Sequence, residues 1–163
     1  MDLEFRLGEP HDLSALADME AAEDTARYLT VTGIAWHEKA FDDPDQEHTV
    51  AEVDGVPVGY ALLAGLAGPE EPDRAIEIRR MVLRPEWRGA GRGRAVLQAA
   101  VTRADKVHKA GRVWLRVKPQ NARGRKLFLS EGFVEDHVEN NVFREPDGSY
   151  SDLIVMTQTF GPA

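Results

Sequence analysis

Residues 75–118 read without interruption as strand, glycine-rich turn, helix and strand: AIEIRRMVL, then RPEWRGAGRGR, then an amphipathic run ending at Gly111, then RVWLRV. A crossover of this kind is right-handed in nearly all proteins, so strands 75–83 and 112–118 are expected side by side and parallel in one sheet. In the first strand Ile76 and Ile78 alternate with Glu77 and Arg79. The alternation fails near Arg80, as it does where a β-bulge adds a residue. Between the strands, Val96, Leu97, Ala100, Val101, Ala104 and Val107 form one stripe of a helix over 91–110, and Gly111 is the expected stop. In the second strand Val113, Leu115 and Val117 share a face.

The remaining segments add antiparallel material around this unit. LEFRL predicts a first strand, and Asp12 is placed to cap a helix over LSALADMEAAEDTARYL. Residues 30–47 show no period and read as irregular chain. HTVAEV and VPVGYALLAGL, joined by Asp54-Gly55, predict a tight hairpin. Asn121 to Glu131 reads as a helix ending at Gly132, and FVEDHVENNVF and SYSDLIVMTQTF read as two late strands joined by EPDGSY. No repeat, linker or low-complexity segment divides the 163 residues, so one domain over 1–163 is expected, of the α+β (mixed α/β) class with helices on the faces of one mixed sheet.

Charge is distributed unevenly. The net charge is −8, yet residues 79–126 hold 15 of the 20 lysines and arginines against two acids, Glu86 and Asp105. Such a split points to an anion site in the middle of the chain, unless both are only solvated faces. The stretch Arg84 to Val96 alone contains four arginines and three glycines. A glycine-rich turn that leads from a strand into a helix is a phosphate-binding device. Glycines let the backbone approach the anion, and the unpaired N–H groups and dipole of the helix start attract it. Arginines add charge-assisted hydrogen bonds. The turn is not a P-loop, since GxxxxGK followed by Ser or Thr is absent. Nor is it a dinucleotide fingerprint, since Gly91 and Gly93 lack the third glycine, Val96 standing in its place.

IEIRRMVLRPEWRGAGRGRAVLQAA, followed some thirty residues later by NARGRKLFLSEGF, resembles the GNAT superfamily of acyl-CoA-dependent N-acyltransferases. The resemblance is carried by the R-x-x-G-x-G turn from Arg88 to Gly93, by Val82-Leu83-x-Pro85-Glu86 before it, and by Asn121 with Gly132-Phe133 after it. It covers residues 75–133 closely. It implies a single N-acetyltransferase domain whose mostly antiparallel sheet of six to seven strands splays at the parallel pair. It also implies acetyl-CoA as acyl donor and an amine as acceptor. By the same resemblance Arg88, Gly89, Ala90, Gly91, Arg92 and Gly93 hold the pyrophosphate, with Arg94 nearby and Arg84 left on the surface. Met81, Val82 and Leu83 offer free main-chain groups to the pantetheine arm and the thioester carbonyl. Asn121 touches the pantetheine arm, although a plain helix N-cap is the competing reading. Phe128 borders the thiol.

Glu77 stands four residues before Met81, where many relatives of this family place a general base; the competing reading is a surface residue paired with Arg79 or Arg80. At 128 many relatives carry a tyrosine that protonates the leaving thiolate, and Phe128 has no proton to give. Ser130, Tyr150 and water are the remaining candidates. Cysteine is absent, so transfer cannot pass through a cysteinyl acyl-enzyme and is expected to be direct, in a ternary complex.

The acids of residues 18–47 (Asp18, Glu20, Glu23, Asp24, Glu38, Asp42, Asp43, Asp45 and Glu47) suggest an acidic rim that would draw a small cationic amine, a lysine or a peptide N-terminus, unless they are a solvated helix and loop. Tyr28 and Trp36 are candidates to line that groove or to join the core. The five histidines show no metal-ligand spacing.

Two other function classes remain: a non-catalytic acyl-CoA sensor, suggested by Phe128, and a nucleic-acid module using the basic segment. The second is opposed by the acidic remainder and by the lack of interleaved aromatics. No run approaches the roughly 20 apolar residues of a membrane span, and MDLEFRLGEPHD does not read as a signal peptide, so a cytoplasmic protein is expected. A homodimer through the apolar run Leu153 to Met156, pairing across a sheet edge, is a further expectation.

Overall fold

A computed structural model describes residues 2–21, 32–69 and 74–161. Among them lies one seven-stranded sheet: β1 (Glu4–Leu7), β2 (Gln46–Val53), β3 (Val56–Ala64), β4 (Ala75–Leu83), β5 (Arg112–Val117), β6 (Val134–Arg144) and β7 (Tyr150–Thr159). The spatial order is β1-β2-β3-β4-β5-β7-β6. Every neighbouring pair is antiparallel except β4 and β5, which are parallel as the crossover requires. The helices are α1 (Leu13–Glu20), α2 (Ile34–Asp42), α3 (Arg92–Thr102) and α4 (Ala122–Ser130).

Period-2 alternation sorts the sheet into two cores. On β3, Ala61 and Leu63 join the larger cluster with Ile76, Ile78, Val96, Leu97, Ala100 and Val113, under α3. Tyr60 and Leu62 face the other way, with Leu16, Met19, Val50 and Val82, under α1 and α2. Both faces of β3 are therefore covered, which is why VPVGYALLA carries so little polarity. Asp54 and Gly55, at φ 51° and 79°, make the expected tight turn.

Four details differ from the sequence reading. Residues 34–42 are helical. The stripe was hidden because its buried positions are His37 and Ala40, and a histidine counts as polar until its partners are known. Asp12 makes no cap bond to α1. Its buried carboxylate takes two 2.8 Å bonds from Arg6 and one of 2.8 Å from the Glu9 N–H, closing a capping box one short 3-10 turn earlier. The long helix does not stop on Gly111. After α3 the chain widens into a π-turn over Arg103–Val107, and Lys109 takes the left-handed position at φ 56°, with the Ala110 N–H reaching back 2.9 Å to the Ala104 carbonyl. Finally, Leu153 to Met156 is not an edge: β7 is paired to β5 on one side and β6 on the other, so the free edge there belongs to β6.

Lysine tolerates the left-handed region poorly, and glycine tolerates it well. Lys109→Gly is expected to stabilise the protein by about 0.5–1 kcal/mol, read as a rise of a few degrees in the thermal midpoint. A lowered midpoint would show that the Lys109 side chain contributes more than its backbone costs.

Candidate active site

The parallel pair is short. Ala75, Ile76 and Glu77 are in register with Arg112, Val113 and Trp114, and beyond these residues the two strands are no longer paired. A cleft of about 740 Å³ fills the gap. Its walls are Ile78 to Leu83 of β4, Leu115 to Lys118 at the end of β5, the turn before α3, and the inner face of α4. The bulge lies at Arg79: Leu62 pairs with Arg80 and Leu63 with Ile78, so Arg79 is the extra residue on the β4 side. One edge of β4 thus runs along the cleft without a strand partner, and its main-chain groups are available there.

One wall of the cleft is the glycine-rich turn. Gly89, Ala90 and Gly91 follow one another at φ 89°, 53° and 78°. Ala90 holds a left-handed conformation that costs a non-glycine residue about 1 kcal/mol, so the turn is fixed by its surroundings rather than by its own preference. A Cβ built on Gly89 or Gly91 would meet nothing within 4 Å, so the backbone on that side is open. Gly91 is the N-cap of α3; the Arg92 N–H is spent on the Gly89 carbonyl at 3.1 Å, while the Gly93 and Arg94 N–H groups have no backbone partner among the described residues. Donors, dipole and open backbone fit a diphosphate.

The candidate residues distribute as follows. Glu77, Met81, Val82, Leu83, Arg88, Gly89, Gly91, Gly93, Arg94, Asn121 and Phe128 all line the cleft, whereas Ala90 and Arg92 do not. Arg92 lies over the Trp87 ring, 5.1 Å from its centroid. Arg94 is tied to Ser130 at 2.9 Å and to Glu131. The Arg88 Nε donates to the Leu83 carbonyl at 3.1 Å, so that main-chain group is engaged. Asn121 does cap α4, its Oδ1 accepting from the Gly124 N–H at 3.0 Å, while the residue also faces the cleft. A Cβ on Gly124 would sit 2.7 Å from the Asn121 Nδ2, so a side chain there would displace the capping amide. Phe128 is buried beside Phe133.

Ser130 and Tyr150 are not brought to the cleft. Ser130 is bonded to the Leu127 carbonyl and Arg94, and Tyr150 is exposed at the start of β7.

At the other end sits Glu77, only 7% exposed. Its two oxygens accept from Arg79 Nε at 3.1 Å and Arg116 at 3.2 Å. Arg116 rests on the Trp114 ring, 4.8 Å from the centroid, and also donates to Glu139 at 2.6 Å.

Arg80 takes no part in this. It reaches through the sheet to Tyr60 and Glu20 and lies over Trp36. Glu20 in turn accepts from Tyr60, from Thr32 and from His37, and His37 is 3.0 Å from His48. Sequence spacing could not find this cluster, because its members come from α1, α2, β2, β3 and β4. Nor could it find Arg79, Arg116 and Lys118 as cleft residues, since period alone does not say which strand edge stays unpaired.

Most of the anticipated acidic rim is already engaged. Asp18 pairs with Arg84 at 2.7 Å, and Glu20 is buried. Asp43 accepts the Asp45 N–H of its own turn, Asp45 accepts the Gly65 and Ala67 N–H groups just after β3, and Glu47 is clasped by Arg103 at 2.7 and 2.8 Å, with His108 at 3.1 Å. Glu23, Asp24 and Tyr28 lie outside the described residues. Trp36 is half-buried against the second core, as the core reading expected.

The model of the acetyltransferase (GNAT) family matches residues 13–133, which span the bulged strand, the turn and both cleft helices. The chain belongs to the GNAT acetyltransferase family. It is 34% identical over 92 residues to uncharacterized N-acetyltransferases of Mycobacterium tuberculosis and Mycobacterium bovis, a stretch covering 56% of this chain and 54% of theirs. The chain thus spans about half the length of these curated relatives.

Three solved structures share the GNAT fold over nearly their whole length. A putative phosphinothricin N-acetyltransferase superposes with a TM-score of 0.83 at 21% identity, covering 99% of this chain and 100% of that one. A spermidine N-acetyltransferase chimera from Vibrio cholerae and hSSAT gives 0.82 at 19%, covering 98% and 96%. The ribosomal-protein-S18-alanine N-acetyltransferase of Escherichia coli gives 0.79 at 20%, covering 99% and 96%. At these identities the likeness is one of fold. Among the described residues no helix is long and apolar enough to cross a membrane.

Proposed function

We propose that this GNAT protein transfers an acetyl group from acetyl-CoA directly to a primary amine within a ternary complex. One observation carries the reading: a single cleft between the parted strands joins an anion cradle at the start of α3 to a carboxylate, Glu77, at its far end. The cradle N–H groups, with Arg88, would hold the diphosphate. The unpaired edge of β4 from Met81 to Leu83 and the Asn121 amide would bond the pantetheine arm. The same edge would polarise the thioester carbonyl.

The amine nitrogen then attacks the carbonyl carbon, the C–S bond breaks, and the amine proton passes to Glu77, directly or through water. The thiolate leaves with a proton from solvent, since Phe128 has none and neither Ser130 nor Tyr150 lines the cleft. Coenzyme A is a tolerable leaving group, so this does not preclude turnover.

The basic residues of the central segment support this reading over a nucleic-acid surface. Seven of them line one cleft, and Trp114 is covered by Arg116 rather than open for stacking.

The absence of cysteine makes the assay simple, because thiol released with an amine panel comes only from coenzyme A. Thiol release above the amine-free rate is expected. Acetyl-CoA at about 100 times its dissociation constant should stabilise the fold by about 2.7 kcal/mol. Stabilisation without release by any amine would favour the sensor reading, and no stabilisation would exclude both.

A further inference from the structure

The acceptor end of the cleft is more basic than an amine site needs to be. Among the described residues, Glu77 is the only acid lining the cleft. The cleft is also lined by Arg79 and Arg80 of β4 and by Arg116 and Lys118 at the end of β5. Two of these four are committed elsewhere: Arg80 to Glu20 and Tyr60, and Lys118 to Glu145 at 2.5 Å with its ammonium 4.1 Å from the centre of the Phe143 ring.

Arg79 and Arg116 flank Glu77 and remain open to solvent, their side chains 41% and 39% exposed. Their bonds to Glu77, 3.1 and 3.2 Å, are longer than the 2.7–2.9 Å of a strong charge-assisted pair. Arg79 uses only its Nε, so both of its terminal nitrogens keep their hydrogens free among the described residues. Asp43 feels the Arg79 charge only through space. Arg116 uses its Nε on Glu139 and one terminal nitrogen on Glu77, which leaves the other, and stacking on Trp114 fixes the plane of the fork.

Two oriented guanidinium groups therefore offer donors on either side of one carboxylate. A purely cationic acceptor would be repelled by both.

We infer that the acceptor is an amine that carries its own carboxylate, a small amino-acid-like molecule whose carboxylate docks on Arg79 and Arg116 while its amine meets Glu77. The inference rests on the acetyl-transfer reading above. It also agrees with the chemistry of transfer. Neighbouring positive charge disfavours an ammonium ion, and so helps to supply the neutral amine that attacks.

The test uses matched acceptors with the whole protein: α-amino acids, their amides, and spermidine as a cationic probe, each assayed by thiol release. The amino acids should exceed their amides in kcat/KM. In Arg79→Gln and Arg116→Gln the ratio of amino acid to amide should fall by roughly 10- to 100-fold, the range expected for loss of a hydrogen bond to a charged group. A second readout does not depend on turnover. With free coenzyme A present, the preferred amino acid should raise the thermal midpoint of the unaltered protein and not of Arg116→Gln. The shift given by acetyl-CoA alone serves as the control for folding.

Equal or better use of spermidine and amides, with the ratio unmoved in both variants, would overturn the inference and leave acetyl transfer standing. If no amine releases thiol, the function reading fails, and the carboxylate-dependent midpoint shift still decides whether these arginines bind an anion.

Discussion

Glu77→Gln is expected to lower kcat/KM by roughly 10²- to 10⁴-fold, the range for loss of a positioned general base. The replacement keeps the shape and one acceptor oxygen, so the cleft is preserved while the proton site is removed. Arg79 and Arg116, which now share a carboxylate between them, would face a neutral amide. For that reason the fall in rate must be compared with the acetyl-CoA stabilisation, which should survive because the cradle lies at the other end of the cleft. The decisive measurement is the pH profile. If Glu77 takes the proton, the acidic limb of kcat/KM disappears in the variant. A profile of unchanged shape would remove Glu77 from proton transfer and leave it as the group that orients the two arginines.

Glu20→Ala is expected to cost about 3–5 kcal/mol, the range for removing one partner of a buried charged pair. Against a total stability of about 5–15 kcal/mol that is close to unfolding. The reason is local. Glu20 is fully buried and serves His37, Tyr60, Thr32 and Arg80 at once, so its loss leaves several buried groups unsatisfied. Glu20→Gln should cost less, because an oxygen acceptor remains.

The same cluster predicts the response to acid. Glu20 can only accept, so His37 gives it the Nε2 proton. In the neutral ring the His37 Nδ1 then accepts from the His48 Nε2–H, and the His48 Nδ1 is left buried without a partner among the described residues. Burial, with His37 beside it, pushes His48 down to about 4. Burial alone would raise Glu20, but hydrogen bonds from His37, Thr32 and Tyr60 and the charge of Arg80 more than offset this and hold it at about 2.

Both values lie below those of the unfolded chain, so the unfolded state binds more protons and stability falls as the pH is lowered. The His48 contribution is fully present above about pH 6.5 and is lost as pH falls towards 4. That of Glu20 is present above about 4.5 and is lost towards 2. Each amounts to about 3 kcal/mol. Denaturant unfolding from pH 7.5 to 4 should show a slope that vanishes in His48→Gln, and an unchanged slope would exclude His48 as its source.

How much of this was legible in the sequence follows from the range of each interaction. The crossover unit was readable because a strand, a turn and an amphipathic stripe are each encoded within a few residues. The glycine turn was readable for the same reason, since glycine content and helix start sit within Arg88 to Gly93. Helix α2 was missed because its buried face includes a histidine whose partners come from α1 and β2.

The acidic segment misled for a related cause. Composition counts carboxylates, and only the packed chain shows that Asp18, Glu20 and Glu47 are already neutralised by Arg84, Arg80 and Arg103. The apolar run Leu153 to Met156 suits an edge and an interior strand alike, because strand order is not encoded in strand sequence.

By itself, the sequence determined the parallel pair, the turn between them and the family to which they belong, because local period, turn chemistry and chain handedness are short-range constraints. Only the tertiary structure decided where the two strands part, that Glu77 lies between Arg79 and Arg116, and that the Glu20 cluster is sealed in the core. Those facts depend on long-range pairing, which brings together side chains 17 to 60 positions apart, and whether a charge is free or spent is settled only by what is packed against it.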